Sequence, residues 1–265
     1  MIMGIDRGAV AVWRRNADVF FKTWRTNFLP SVFEPLLYLV AMGLGFGGLV
    51  AGLTYAGQPI EYIRFLAPGL ISISAMYGGF FECTYGSFVR MHYQKTFDAI
   101  VATPVSLEDV IVGEIMWGAS KSFINSTIVL TVITLMGWFL FPAIQFTSLT
   151  ILLVPPLTFM AGLMFASIAM IFTALVPNID SFNYPFFLLI TPMFLFGGTF
   201  FPISQLGAAE PLAYILPLTH TSLLIRDMSL GLLGPIDGLA MIYVIIMTIA
   251  ATYLAVRMMK KRLTK

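Results

Sequence analysis

Few residues in this chain could do chemistry. The candidates are its two histidines, His92 and His220, its one cysteine, Cys83, and three charged side chains set in apolar sequence, Glu82, Glu114 and Lys121. Acid–base or metal chemistry needs such groups at one depth. The apolar segments place His92 and His220 on opposite sides of a membrane, so no two-histidine site forms within the chain. Ser222 stands two residues from His220 with no acid to orient the ring, which leaves nucleophilic catalysis unsupported. A single cysteine excludes an intrachain disulfide and an all-cysteine metal site, and Cys83 reads as a small apolar residue in a helix. No GxxxxGK[ST] phosphate loop occurs, because "GASKS", Gly118 to Ser122, has the wrong spacing and lies in apolar helix. The chain is therefore expected to have no catalytic or metal-binding residues and no ATPase site of its own.

The three embedded charges need another explanation, since one charge at a bilayer centre costs at least ~2.5–3.5 kcal/mol. Glu82 lies eight residues in from Arg90 and Lys121 eleven in from Val110, depths of roughly 12 and 16 Å on a helix. They can pair across two helices, and Glu114, two turns before Lys121, is a second candidate partner. Two readings stay open: a neutralised pair that locks a helix interface, or a substrate or gating role.

The elements that must position these groups are membrane helices. Hydrophobic residues make up 58% of the 265, charged residues 11%, and mean hydropathy is +0.90, well below the charged content of soluble domains. Alternating barrel strands are absent, so the expected fold is an all-α polytopic membrane protein. A net charge of +2 does not suggest a nucleic-acid partner, and the N-terminus lacks the pattern of a cleaved signal peptide. Charge-poor windows give six spans. The first lies within Leu36–Ile60, the second runs from Phe65 to about Val89, two are joined by a turn near Pro142–Ser148, the fifth runs from Tyr184 to about Phe200, and the last covers Gly238–Val256. Arg7, Arg14, Arg15, Lys22 and Arg25, then Arg90 and Lys95, then Arg257, Lys260, Lys261, Arg262 and Lys265 fall on one side, against only Arg64 and Arg226 on the other. This bias predicts that both termini are cytoplasmic.

Between the spans, three segments have their own character. Residues 1–28 mix Val12, Trp13, Val19, Phe20 and Trp24 with basic groups, as expected of a helix lying along the cytoplasmic interface. The loop within 91–109 predicts a short amphipathic helix over Gln94–Ala102, a turn at Pro104, and a helix start capped by Ser106 with Asp109. It is either a docking surface or a connector. The segment 202–233, with Pro211, Pro217 and Gly231, is too interrupted for one span and has to return to the side it left. Its Arg226 is either a headgroup anchor or one of a surface Arg226–Asp227 pair, and His220 and Arg226 do not share a helical stripe. Tyr38, Phe46, Tyr77, Phe80, Phe81 and Tyr85, on the first two spans, face lipid or other helices, or line a path for amphiphiles.

The order "VWRRN", "GEIMWGASKS", "FASIAMIFTALVPNIDSF", "ITPMFLFGGTFFPISQL" and "LPLTHTSLLIR" resembles the type-2 ABC exporter permeases over nearly the whole chain. Thr199 stands where that family more typically has a smaller or aliphatic residue. The resemblance implies a single transmembrane domain over 1–265 in a bacterial inner membrane. It implies two copies of the chain and two separate ATP-binding subunits that carry ATP and Mg, with no cofactor in this chain. Those subunits would dock on Tyr93, Gln94, Thr96, Phe97, Asp98 and Pro104 and on the N-terminal helix. The segment after the fifth span would be re-entrant and seal the exit with Phe200, Phe201, Pro202, Pro217, His220 and Arg226. The implied cargo is an amphiphilic glycolipid or lipo-oligosaccharide moved outward. Export of a hydrophobic drug or another lipid is the alternative. An ion-gradient transporter is a further one, although no internal repeat supports it, and a membrane scaffold is the last.

Overall fold

The computed structural model describes residues 7–47, 50 and 52–264, with side chains described for all of these except 25–32, 34, 35 and 44. The expectations for residues 1–6, the Arg25 side chain, Lys265 and positions 48, 49 and 51 of the first span lie outside that description. Helix α1 (Arg7–Gly45) is followed by a two-stranded antiparallel hairpin, β1 (Thr54–Tyr55) and β2 (Gln58–Pro59). Helix α2 (Tyr62–Phe81) continues through π-helical turns at Glu82–Gly86 and Val89–Tyr93. A short α3 (Thr96–Val101) leads into α4 (Leu107–Phe139), and α5 (Val154–Leu175) returns. Helices α6 (Asn183–Pro185) and α7 (Thr191–Phe196) belong to one rod over Ile179–Phe196. Then come α8 (Glu210–Ala213), α9 (Pro217–Leu230) and α10 (Pro235–Leu263).

Among the described residues, five helical rods are long and apolar enough to cross a membrane: Tyr62–Tyr93, Leu107–Phe139, Leu149–Leu175, Ile179–Phe196 and Pro235–Leu263. The all-α polytopic expectation holds. The turn expected near Pro142–Ser148 is where α4 gives way to short 3₁₀ turns before α5.

Two expectations are corrected. The first span does not extend to Ile60, because α1 ends at Gly45 and residues 54–59 form the hairpin. The basic N-terminal segment is not a separate helix, because it is the first half of α1 and packs along α4. Gly8 abuts Asp109, Gly113 abuts Val12, and Phe20 packs on Trp117 at 5.5 Å. Val12 is buried against α4 and Phe20 half-buried, while Val19, Phe21 and Trp24 on the same helix stay exposed.

Helix α2 is the centre of the bundle. Its most apolar window is 83% buried, against 22% for Ile179–Phe196 and for Pro235–Leu263, whose outward Tyr184, Leu188, Leu239 and Ile249 are exposed. Helices α2, α4 and α5 meet through small residues, which let backbones approach where lipid offers no hydrophobic contrast. A Cβ on Gly162 would stand 2.5 Å from Ser122 Cβ and 2.9 Å from Ala119 Cα, while the Ser122 hydroxyl donates to Ala75 O at 2.7 Å. Gly162→Ala is expected to cost about 1–3 kcal/mol through overpacking, seen as a lower thermal midpoint. An unchanged midpoint would show that α4 and α5 separate freely.

The chain ends gather at one pole, here called the basic end. Lys260 pairs with Glu108 at the start of α4, and the Arg262 guanidinium donates to Thr173 O and Val176 O, both at 2.6 Å, at the end of α5. Cations at helix C-termini satisfy orphan carbonyls in this way.

Candidate functional site: a buried ionic cluster, a loop helix and a buried far segment

At the basic end, α1, α2 and α4 are joined by one ionic cluster. Arg90 Nη2 stands 2.8 Å from Glu82 Oε1 and 2.6 Å from Glu114 Oε2, and Arg90 Nε donates to Glu114 Oε2 at 2.9 Å. Glu114, 1% exposed, also accepts from the Ser87 hydroxyl at 2.6 Å and from Asn16 Nδ2 at 2.8 Å. Lys121 Nζ lies 3.8 Å from Glu82 Oε2 and 4.7 Å from the Phe20 ring centre. The expected Glu82–Lys121 contact is therefore present, but it is the longer of Glu82's two ion pairs. Glu114 pairs with Arg90 rather than with Lys121 among the described residues.

Arg90 is what the sequence reading missed, having been counted only as an orientation charge. The available signal was its position eight residues after Glu82, about two turns along the same helix. Gly86 lies between them, and a Cβ there would meet Glu82 Oε1 at 2.9 Å and Arg90 Nη1 at 3.4 Å. The pair thus closes over a bare backbone, on a π-helical stretch of the kind that recurs at functional sites.

Two residues past the second π turn, Lys95 takes a left-handed conformation (φ 53) and turns the chain into α3. The loop helix spans Thr96–Val101, shorter than expected, with Tyr93 in the π turn and Gln94 as its cap. Phe97 is buried at 1% exposure and anchors α3, while Gln94, Asp98 and Pro104 are exposed and Thr96 is half-buried. Ser106 and Asp109 form the expected capping box: the Ser106 hydroxyl accepts from Asp109 N at 3.1 Å, and Asp109 Oδ2 accepts from Ser106 N at 3.3 Å.

A chain of ring contacts runs from this loop along α2 to the far end. It passes through Tyr93, His92, Phe88, Phe182, Tyr85, Phe81, Tyr77, Phe194 and Phe200, with successive centroids 4.9–6.2 Å apart, within the range of favourable aromatic packing. Tyr38 joins at Phe194, 6.1 Å away. Tyr77, Phe81 and Tyr85 are half-buried, whereas Phe80 is fully buried core and is excluded from any path. Phe46 is 51% exposed.

At the far end, Arg226 is 3% exposed, which corrects both earlier readings of it as an exposed group. Its Nη2 donates to Gly198 O at 2.7 Å and its Nε to Phe65 O at 3.2 Å, with the guanidinium 3.9 Å from the Phe65 ring centre. It ties α9 to α2 and to the turn after α7. Pro202 and Pro217 are buried, and Phe200 and Phe201 are half-buried beside them. His220 faces away from Arg226. Its ring stacks on Tyr243 at 3.9 Å, Nε2 lies 2.8 Å from Tyr214 O, and burial lowers its pKa. Gly231 closes α9 in the left-handed region (φ 72).

Asp227, next to Arg226, accepts from the Tyr55 hydroxyl at 2.7 Å, so the hairpin is latched to α9. Burial raises its carboxyl from the ordinary 3.8 to about 6, with Asp237 adding to the rise and Tyr55 and Arg226 opposing it. The folded state therefore holds a proton that the unfolded chain releases between these values. That contribution to stability is fully present below about pH 4 and is lost as pH rises through about 6. The thermal midpoint of the purified protein is expected to fall between about pH 4 and 6, and Asp227→Asn to flatten that slope. An unchanged slope in the variant would assign it to another group.

The model of the ABC-2 type transporter family matches residues 8–228. Nodulation protein J of Rhizobium meliloti (strain 1021) is 37% identical over 223 residues, 84% of this chain and 81% of that protein. Nodulation protein J of Sinorhizobium fredii (strain NBRC 101917 / NGR234) is 33% identical over 255 residues, covering 96% and 93%. The inner membrane transport permease YadH of Escherichia coli (strain K12) is 23% identical over 227 residues, covering 84% and 82%. With a family match that takes in the ionic cluster, the loop helix and most of α9, the chain belongs to the ABC-2 type transporter family.

Proposed function

We propose that this chain is the membrane subunit of an ATP-driven exporter that moves an amphiphilic glycolipid or lipo-oligosaccharide outward across a bacterial inner membrane. The observation that carries the reading is α3. It is a short helix with an exposed face at the basic end, fixed by Phe97 and continuous with the capped start of α4. A separate ATP-binding subunit seated on Tyr93, Gln94, Thr96, Asp98 and Pro104 can push this helix, and α2 and α4 transmit the push as rigid rods. Family membership supports such a partner, and the names of the nodulation relatives support the cargo class.

In this reading the basic end is cytoplasmic, α1 supplies the sixth crossing, and two copies of the chain face each other. ATP and Mg are bound by the partner subunits. The half-buried rings of the ladder, Tyr85, Phe81, Tyr77, Phe194 and Phe200, give an amphiphile flat apolar surface along α2, while Phe88 and Phe182 are buried and only support it. Helix α9, about 21 Å long and so shorter than a hydrocarbon core, dips into the outer leaflet and returns, closing the exit until the rods move.

The test is to purify the tagged chain in mild detergent and look for an equimolar ATP-binding subunit with ATPase activity. Inverted vesicles holding that complex should then take up glycolipid only with ATP. Recovery of the chain without an ATPase, repeated after crosslinking in cells, would overturn the reading.

A further inference from the structure

Beside the ionic cluster, α1, α2 and α4 enclose a cavity of about 410 Å³. Its charged lining is Arg15, Arg90, Lys121 and Glu82. Arg90 and Lys121 are matched by Glu82 and Glu114, so three cations face two carboxylates. Among the described residues Arg15 has no acidic partner, and its Nη1 donates instead to Asn16 Oδ1 at 2.9 Å. The cavity thus carries one excess positive charge. Neutral polar groups, Asn16, Thr23 and Gln94, share the rest of the lining with apolar and aromatic ones, Val19 and Phe20 from α1, Tyr85 from α2 and Trp117 from α4. On the same helix Phe21 is 66% and Trp24 47% exposed, the mixture of aromatic and basic groups that marks a membrane–water interface.

We propose that this cavity is a binding site for the phosphodiester headgroup of an anionic phospholipid of the cytoplasmic leaflet. One monoanion neutralises the excess charge, with its phosphate between Arg15 and Lys121 and its upper acyl carbons against Phe20 and Trp117. A zwitterionic lipid brings its own cation and leaves the excess uncompensated. Free phosphate makes the same polar contacts but leaves the aromatic wall uncovered. The site would tie the position of α1 to lipid composition, at the point where α1 meets the two helices that flank the loop helix.

The test uses the full chain, delipidated and then titrated with phosphatidylglycerol or phosphatidylcholine of equal chain length, with bound lipid counted by native mass spectrometry. One phosphatidylglycerol per chain should be retained at least about fivefold more tightly than phosphatidylcholine. Arg15→Gln and Lys121→Gln should each lose about fivefold, the loss expected for one interfacial cation, and Arg257→Gln, on the exposed surface of α10, should lose none. Arg15 is a half-buried side chain outside the ion-paired core, so its variant keeps the wild-type thermal midpoint. Equal retention of the two lipids, or Arg15→Gln binding like wild type, overturns the proposal. Displacement of the lipid by millimolar inorganic phosphate overturns it in favour of a soluble-anion site.

Discussion

Arg90→Met is expected to destabilise the protein by about 3–5 kcal/mol, the usual result of stripping one partner from a buried ion pair. The reason is specific to Glu114. At 1% exposure it has no access to water, and Arg90 supplies its only cation among the described residues. Ser87 and Asn16 still donate to it in the variant, but two neutral donors do not offset the desolvation of a carboxylate. Glu82 also loses its 2.8 Å partner and keeps only Lys121 at 3.8 Å. The yield of monodisperse protein and the thermal midpoint should both drop. The double variant Arg90→Met with Glu114→Gln should recover most of the loss, because removing both charges leaves none unpaired in the core. A single variant as stable as wild type, or a double variant no better than the single, would mean that water reaches the cluster.

The second large effect separates two neighbours in the loop helix. Phe97→Ala is expected to cost about 3–5 kcal/mol of local stability, since a fully buried ring is replaced by a cavity. The loosened segment should become sensitive to protease between Tyr93 and Ser106. Asp98→Lys, on the exposed face, should stay within about 0.5 kcal/mol of wild type. If Asp98 faces the ATP-binding subunit, reversing its charge should cut export about tenfold, as loss of one well-placed contact does. Export should then fall in both variants, whereas protease sensitivity should rise only in Phe97→Ala. Full export by Asp98→Lys would remove this face from the coupling surface.

Much of this was legible in the sequence. The long charge-free stretch between Lys121 and Asp180 required two helices and a turn, and the turn lies where Pro142–Ser148 placed it. Ser106 and Asp109 announced the start of α4 because a capping box depends on residues three apart in one chain. The interruption of 202–233 by prolines and glycine ruled out a single span, and the segment holds two short helices, α8 and α9. The extent of α1 was not legible. Its basic aromatic half and its apolar half read as two elements, with Pro30 and Pro35 between them, yet the helix runs unbroken from Arg7 to Gly45.

Composition, periodicity and caps act over a few residues, so the sequence by itself determined that this is a helical membrane protein, roughly where its helices run, and which charges sit too deep to be left alone. Glu82 and Lys121 meet as their depths in the sequence suggested, but the tertiary structure alone decided the other partners. Arg90 meets Glu114 across 24 positions, Arg226 meets the Phe65 carbonyl across 161, and Tyr55 meets Asp227 across 172. Each contact depends on the rotation and offset of two packed helices, or of a helix and the hairpin, set here by close approaches such as Gly162 on Ser122. In a low-dielectric interior a buried charge takes whichever opposite charge or carbonyl that packing brings within reach. The partner is therefore fixed by how the helices nest and cannot be read from the spacing of residues along either one.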